Sequence, residues 1–460
     1  MNDAPPRILL VGAGLAGSLL SVYFARRGFH VDVRERRPDM RRETISAGRS
    51  INLALSTRGI HALGEVGLRE EIMRLAIPMR GRMMHAVDGT LTYQPYGKDD
   101  SEVIYSVSRG ELNRRMMDLA ERHDGVTMRF RQRCDGMDLA RGIVHFTDEN
   151  AGTSYAVSAD TVIASDGAGS AIRRSMEKLE GFDATEDFLP HGYKELHIPS
   201  APDGTHRLEK HALHIWPRRS FMLIALPNLD GSFTCTLFLA QDGNPAFSSL
   251  QTPGDVENFF AKEFPDATAL MPTLAQDFFQ NPTGALGTVR CYPWHVGGTA
   301  ALLGDAAHAI VPFYGQGMNC AFEDCTVLNE CIEEFGTAWE RVFHAYQERR
   351  KANADAIADL ALHNFVEMRD RVADARFLLM KEVGLALETR FPSHFIPLYS
   401  MVTFHRTPYA VALQRGEIQH GILEDLTRDA ASIADVDFDR ARTLIEERLR
   451  PYAEESGGLY

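Results

Sequence analysis

The sequence predicts an α/β fold: a parallel sheet flanked by helices, an antiparallel-sheet domain interleaved into it, and a helical C-terminal region. Three observations predict it. A short apolar run, "RILLVG", leads into "GAGLAGSLLSVYFARRG", which has helical spacing, and then into a second strand, "HVDVRER". From about 191 to 239 the pattern changes to short β-rich runs separated by turn residues. After 324 the chain reads as helix, broken near "RFPSHFIPLYS".

The first β-α-β unit carries G-x-G-x-x-G at Gly12, Gly14 and Gly17, with Glu35 ending the second strand 23 residues after Gly12. Gly12 allows the tight turn, Gly14 lets backbone approach a pyrophosphate, and Gly17 lets helix and sheet pack closely. The helix N-terminus favours the anion, and Glu35 can accept hydrogen bonds from ribose hydroxyls. This is the pattern of a Rossmann-like dinucleotide site, and by itself it does not separate NAD from FAD. A β-α-β start cannot close its sheet alone, so "DTVIASDG" (160–167) and "AALLGDAA" (300–307) are expected to complete it. Asp166 stands where it would fix a loop or touch a cofactor.

The β-rich runs "HGYKELHI", "ALHIWP", "SFMLIALP" and "SFTCTLFL" predict an antiparallel meander. In the last run Phe233, Cys235, Leu237 and Leu239 share one face, while Ser232, Thr234, Thr236 and Phe238 share the other. That second face is either the floor of a pocket or an ordinary solvated surface.

The stretch "LLGDAAHAIVPFYGQGMNCAFED" (302–324) ends a strand at Gly304-Asp305, crosses a loop with Pro312, and opens a helix at Gly315 and Gly317. Bare N–H groups at such a helix start form an anion site. Asp305 either receives a cofactor hydroxyl or caps the following turn. His308 reads as structural, and Cys320, Cys325 and Cys331 lack metal-ligand spacing.

Composition bounds the rest. The chain has 460 residues, 44% hydrophobic, enough for more than one domain. Its formal net charge of −14, with no basic face, argues against nucleic acid as a partner. Six cysteines without a C-x-x-C pair read as reduced thiols of a cytoplasmic protein. No targeting segment is visible, and no apolar run approaches the roughly 20 residues of a membrane helix. The expected domains are 1–75, 100–180 and 285–335 for the nucleotide fold, 76–99 and 181–284 for the sheet domain, and 336–460 for a helical region closing the pocket.

The order of G-x-G-x-x-G, Asp166-Gly167 and Gly304-Asp305 resembles the class A FAD-dependent aromatic hydroxylases. Within that class "GRSINLALSTRG", "MRGRMMH", "PYGKDDSEVIYSVSR", "PHGYKEL", "LHIWP", "IALPNLDGSFTCTLF", "GDAAHAIVPFYGQGMN", "NFVEMR" and "IPLYSMVTF" resemble, in order, the branch that hydroxylates kynurenine. The similarity runs from about residue 7 to 410 and fades beyond. It implies an FAD-binding domain of the glutathione-reductase type, with tightly bound FAD and with NADPH and O2 as co-substrates. L-kynurenine would be hydroxylated to 3-hydroxy-L-kynurenine through a flavin C4a-hydroperoxide, in tryptophan catabolism. No side-chain base is demanded, because the substrate's amino group activates its ring.

The resemblance further implies that Arg82 and Tyr96 bind the substrate carboxylate, joined by Asn364 and Tyr399. An arginine fork suits a carboxylate, and Tyr and Asn add neutral donors. Leu213, Ile224, Leu226, Phe238, Pro312 and Phe313 would wall the substrate ring. Toward FAD it points to Leu15, Glu35, Arg36, Ala54, Arg109, Asp305, Met318 and Asn319, beside Gly12, Gly14, Gly17, Asp166 and Gly317. It also implies a form without a membrane anchor, and a homodimer is a further expectation. The rival readings are a flavin hydroxylase of another aromatic acid and a non-catalytic flavin-fold binding protein.

Overall fold

The computed structural model describes residues 6–43, 52–367 and 375–455. The first four residues of "GRSINLALSTRG" and the last two of "NFVEMR" lie outside the described residues. The chain divides into two compact units, one of residues 1–75, 107–188 and 287–358, the other of 76–106, 189–286 and 359–460. The residues after 336 do not make a unit of their own. Helix Trp339–Val366 begins in the first unit, where Trp339 meets the Phe29 ring at 5.9 Å, and only its last turns belong to the second.

The first unit is built on a six-stranded sheet in the order His295–Val296, Ala300–Leu302, Thr161–Ala164, Arg7–Val11, His30–Arg34, Val126–Arg129. All pairs are parallel except the first. The strands around Arg7–Val11 are buried along almost their whole length, which is why they read as unbroken apolar runs. Helix Leu15–Arg26 follows and stops at Gly28, whose φ of +79° suits a residue without a Cβ. A small antiparallel sheet of Gln132–Asp138, Ile143–Asp148 and Thr153–Ser158 was not expected from the sequence.

The second unit is built on a seven-stranded sheet. Strands Ala212–Arg218, Phe221–Pro227 and Phe233–Ala240 follow one another antiparallel, as a meander does. The expected fourth member departs from that pattern: strand Asp183–Ile198 lies on the far side, antiparallel to Phe233–Ala240. The near side is taken by Gly81–His85, from "MRGRMMH", pairing parallel with Ala212–Arg218. Helix Pro253–Glu263 and its neighbours cover one sheet face, with Trp216, Leu223, Cys235, Leu237, Phe260 and Phe264 packed in a common core. Helices Ala375–Arg390, Tyr409–Thr427 and Phe438–Arg448 share another, built on Val383, Leu387, Ile422 and Ile445. Among the described residues no helix is long and apolar enough to cross a membrane.

Candidate functional site

In the first unit the glycine motif has the spacing of a cofactor cradle. Gly12 has φ +102°, and a Cβ there would lie 2.6 Å from the Ser165 carbonyl oxygen. At Gly17 a Cβ would lie 2.0 Å from the Gly12 oxygen, so neither position accepts a side chain. Gly14 differs: its nearest neighbour is the Arg37 guanidinium at 4.0 Å, and the space a Cβ would enter is open to a ligand. The half-buried Leu15 begins the helix behind it.

Glu35 is buried just past its strand and accepts from Ala13 N at 2.7 Å and from Arg37 N and Nε at 2.9 and 2.8 Å. Burial would lift its pKa, but Arg37 outweighs that and holds it below the usual value. The acid is thus ionised and fixed at the end of the strand. Arg36 points outward to Glu149 at 3.5 Å, and Arg109 is half-buried at the first position of helix Arg109–Glu121. Asp166 accepts from Ala171 N at 2.8 Å through Oδ2, while its buried Oδ1 has no partner. Burial raises its pKa.

Gly304 takes φ +61° and throws Asp305 outward, exposed in a turn whose next three residues are buried. No side-chain cap closes this turn, so the capping alternative for Asp305 lacks support and its carboxylate stays available to a hydroxyl. Helix Gly317–Phe335 makes its first internal bond from Cys320 N to Gln316 O, 2.8 Å. The N–H groups of Gly317, Met318 and Asn319 therefore precede the ladder and remain for an anion. The Asn319 side chain is spent on protein: Nδ2 donates to Ala54 O and Gly315 O at 2.8 and 2.9 Å, and Oδ1 accepts from Ser56 N at 2.9 Å. Asn319 and Ala54 hence act together, the amide tying the strand of Ala54 to the helix start. An open cradle at Gly14, an orphaned acceptor on Asp166, an outward Asp305 and bare helix N–H groups fit an extended dinucleotide such as FAD. In the loop between, Pro312 is exposed and Phe313 buried.

His308, Cys320 and Asp324 come together despite their unpromising spacing, their donor atoms all within 4.8 Å. A metal is not what they hold. Arg350 donates to Asp324 Oδ1 at 2.7 Å and to Cys320 Sγ at 3.3 Å, so a cation already occupies the cluster.

In the second unit strand register brings together residues expected on the substrate side. Arg82 pairs with Leu213, Ile215 with Ile224, and Ile224 with Thr236, so alternation puts Arg82, Leu213, Ile224, Leu226, Thr236 and Phe238 on one face. The opposite face is the Trp216 core. Thr234, Thr236 and Phe238 are buried, which removes the reading of a solvated surface. Arg82 is 6% exposed, yet its Nε has no hydrogen-bond partner, and the buried Tyr96 hydroxyl has none either. The Arg82 guanidinium lies 5.4 Å from the Tyr96 ring centre and 5.1 Å from that of Tyr399. Burial alone would lower its pKa, but Tyr399, Tyr96 and Glu367 keep it above its usual value.

Two further residues escaped sequence reasoning. Glu367 interacts electrostatically with Arg82 and Tyr399, and it stands three positions after the buried Asn364, on the same side of the helix end. Lys381, on helix Ala375–Arg390, feels both Arg82 and Glu367, and its pKa is pushed down to about 8 by burial and then by Arg82. The signal for Glu367 was present as the i, i+3 spacing from Asn364. Lys381 carried none.

Comparison with known proteins gives the family. A family model described as FAD binding domain matches residues 6–361. A Myxococcus xanthus protein named kynurenine 3-monooxygenase is 53% identical over 448 residues, covering 97% of this chain and 96% of its own.

The chain belongs to the kynurenine 3-monooxygenase family.

A Flavobacterium johnsoniae member of that family is 49% identical over 92% of this chain and 94% of its own. The similarity thus continues past residue 410, where the sequence motifs fade. Among solved structures, a tetrameric form of 2-methyl-3-hydroxypyridine-5-carboxylic acid oxygenase superposes with TM-score 0.66 at 18% identity, over 82% of this chain and 95% of that one. It shares the fold.

Proposed function

We propose that this chain hydroxylates L-kynurenine to 3-hydroxy-L-kynurenine, consuming NADPH, a proton and O2 and releasing NADP+ and water. The single observation that carries the substrate assignment is Arg82: a buried guanidinium whose Nε lacks a hydrogen-bond partner, flanked by two tyrosines on an apolar sheet face. A buried guanidinium with a donor to spare beside two phenols suits a substrate carboxylate. The family of relatives named for kynurenine supports the same choice.

The first unit would hold FAD, through Gly12, Gly14 and Gly17 at the pyrophosphate, Glu35 at the ribose, Asp166 and Asp305 at hydroxyls, and the Gly317–Asn319 N–H groups at the flavin's anionic edge. Bound there and reduced by NADPH, FAD supplies the activation of O2 from which one oxygen atom enters the aromatic ring. The second unit would hold the substrate. Arg82 and the hydroxyls of Tyr96 and Tyr399 take its carboxylate, Asn364 adds a neutral donor, and Leu213, Ile224, Leu226 and Phe238 keep water from its ring. No general base is required of the protein, since the ring amine supplies the electron density that directs attack.

The test is NADPH consumption with and without L-kynurenine, with the product identified. We expect consumption to rise with kynurenine and 3-hydroxykynurenine to form. Stimulation by another aromatic acid but not by kynurenine would overturn the substrate, and a purified protein without flavin absorbance would overturn the enzyme.

A further inference from the structure

Behind the Gly304-Asp305 turn lies a buried ion network that hydroxylation does not use directly. Asp324 is its centre. Its Oδ2 accepts from Gly304 N at 3.2 Å and faces His308 Nε2 at 2.6 Å, and its Oδ1 accepts from Arg350 Nε at 2.7 Å. Arg350 Nη1 donates to Glu323 Oε2 at 2.6 Å, and Glu323 Oε1 accepts from Arg58 Nε at 3.1 Å. All five charged side chains are buried. Around them stand Cys320, whose Sγ and carbonyl accept from Arg350, the Tyr346 hydroxyl, and the Trp294 ring 5.0 Å from that of His308.

The charges do not cancel. Two carboxylates, Asp324 and Glu323, are matched by two guanidiniums, Arg350 and Arg58. His308 shares an oxygen of Asp324 with the Gly304 N–H at 2.6 Å, a separation typical of a charge-assisted bond. Burial opposes a charge on His308, but the Asp324 carboxylate outweighs it and holds the imidazole protonated well above its usual range. Among these five buried side chains a protonated His308 leaves one net positive charge. His308 itself closes the Asp305–His308 turn, its backbone N–H donating to Gly304 O at 2.9 Å, and its Asp324 partner also accepts from Gly304 N, so the charge is built into an element assigned to the cofactor.

We infer that His308 is a buried cation that makes the flavin easier to reduce, with Asp324 as the residue that keeps it in place. The inference rests on the reading that the Gly304-Asp305 turn and the Gly317 helix start hold FAD. Reduced flavin carries negative charge, and a fixed cation in low dielectric favours it over the oxidised form. His308 is a positioning and electrostatic residue here, since it acts through the turn.

The experiment measures the two-electron reduction potential of the holoenzyme by dye titration, together with FAD dissociation, in wild type, His308→Gln and Glu323→Gln. His308→Gln keeps a donor toward Asp324 but removes the charge, and we expect the potential to fall by about 30 mV, a tenfold change in the reduction equilibrium. Glu323→Gln removes a negative charge from the same network, and its potential should rise. Packing damage would not give opposite signs. An unchanged potential in flavin-loaded His308→Gln, or shifts of one sign in both variants, would overturn the inference. If His308→Gln fails to fold, His308→Asn, which also removes the charge, is read in its place: a fall in potential supports the inference, and an unchanged potential overturns it. Wild-type protein that takes up no FAD would instead sink the functional reading.

Discussion

The rings of Tyr96 and Tyr399 are stacked, 5.5 Å between centres and 6° between planes, although the two residues are 303 positions apart in the chain. Arg82 sits beside both rings. Burial pushes both phenols above their usual pKa, so they remain neutral donors at any working pH. Two neutral donors and one fixed cation are the groups on which the proposed carboxylate site rests.

Replacing Arg82 by Met should raise the KM for kynurenine about 10-fold to 100-fold, from loss of a charge-assisted bond worth roughly 1.5–3 kcal/mol. Steady-state kinetics would check it, with kcat affected less than KM. An unchanged KM would mean that another residue holds the carboxylate.

Tyr96→Phe should separate stability from function. The hydroxyl is buried without a hydrogen-bond partner. Removing it should leave the melting temperature unchanged or slightly higher while KM rises several-fold. Parallel melts and kinetics would show whether the two readouts part.

Lys381 predicts a pH effect whose sign can be worked out. Its folded pKa, about 8, lies below the usual 10.5, so between these values the folded chain binds fewer protons than the unfolded one. Stability from this group therefore rises as pH increases from about 8 toward 10.5, and the penalty is fully present below 8. Lys381→Met should flatten that rise. A substrate carboxylate near Arg82 favours the charged lysine, so wild-type KM should climb as pH passes 8, and the variant should lose the climb.

The glycines of the cofactor motif should divide by mutation. Gly12→Ala meets the Ser165 carbonyl and a positive φ, so it should destabilise the apo-protein. Gly14→Ala meets open space and should leave the apo-protein's melting temperature intact while weakening FAD binding. Calorimetric melts with and without FAD distinguish the two.

Asp305→Ala should also spare the fold, because the side chain is exposed, and should raise the FAD dissociation constant about tenfold or more, as expected for a lost charged hydrogen bond of roughly 1.5–3 kcal/mol. Fluorescence titration of the apo-protein would measure it.

The parallel sheet and its glycine turn were legible because their signals are local: an apolar run, three glycines and an acid within 30 residues of one another. Strand pairing was less so. Asp183–Ile198 skips its sequence neighbour to join Phe233–Ala240, a choice made by burial of the shared core and not by any turn residue. The Asp324 network was invisible for a related reason. His308, Asp324 and Arg350 are 16 and 26 residues apart, and only the packing of two helices and a turn brings them together. Arg82 and Tyr96 became candidates through family resemblance, since a lone arginine in a strand announces nothing by itself.

The sheet of the second unit writes two messages on alternate residues of the same strands. Leu213, Ile224, Leu226 and Phe238 face one way, and Trp216, Leu223, Cys235 and Leu237 face the other. If the first set walls the substrate as proposed, substitutions there would retune which aromatic ring is accepted while leaving the Trp216 core on the opposite face in place. A lineage, or a laboratory library, could then explore new substrates at every second position of a strand while the scaffold on the other face stays where it is.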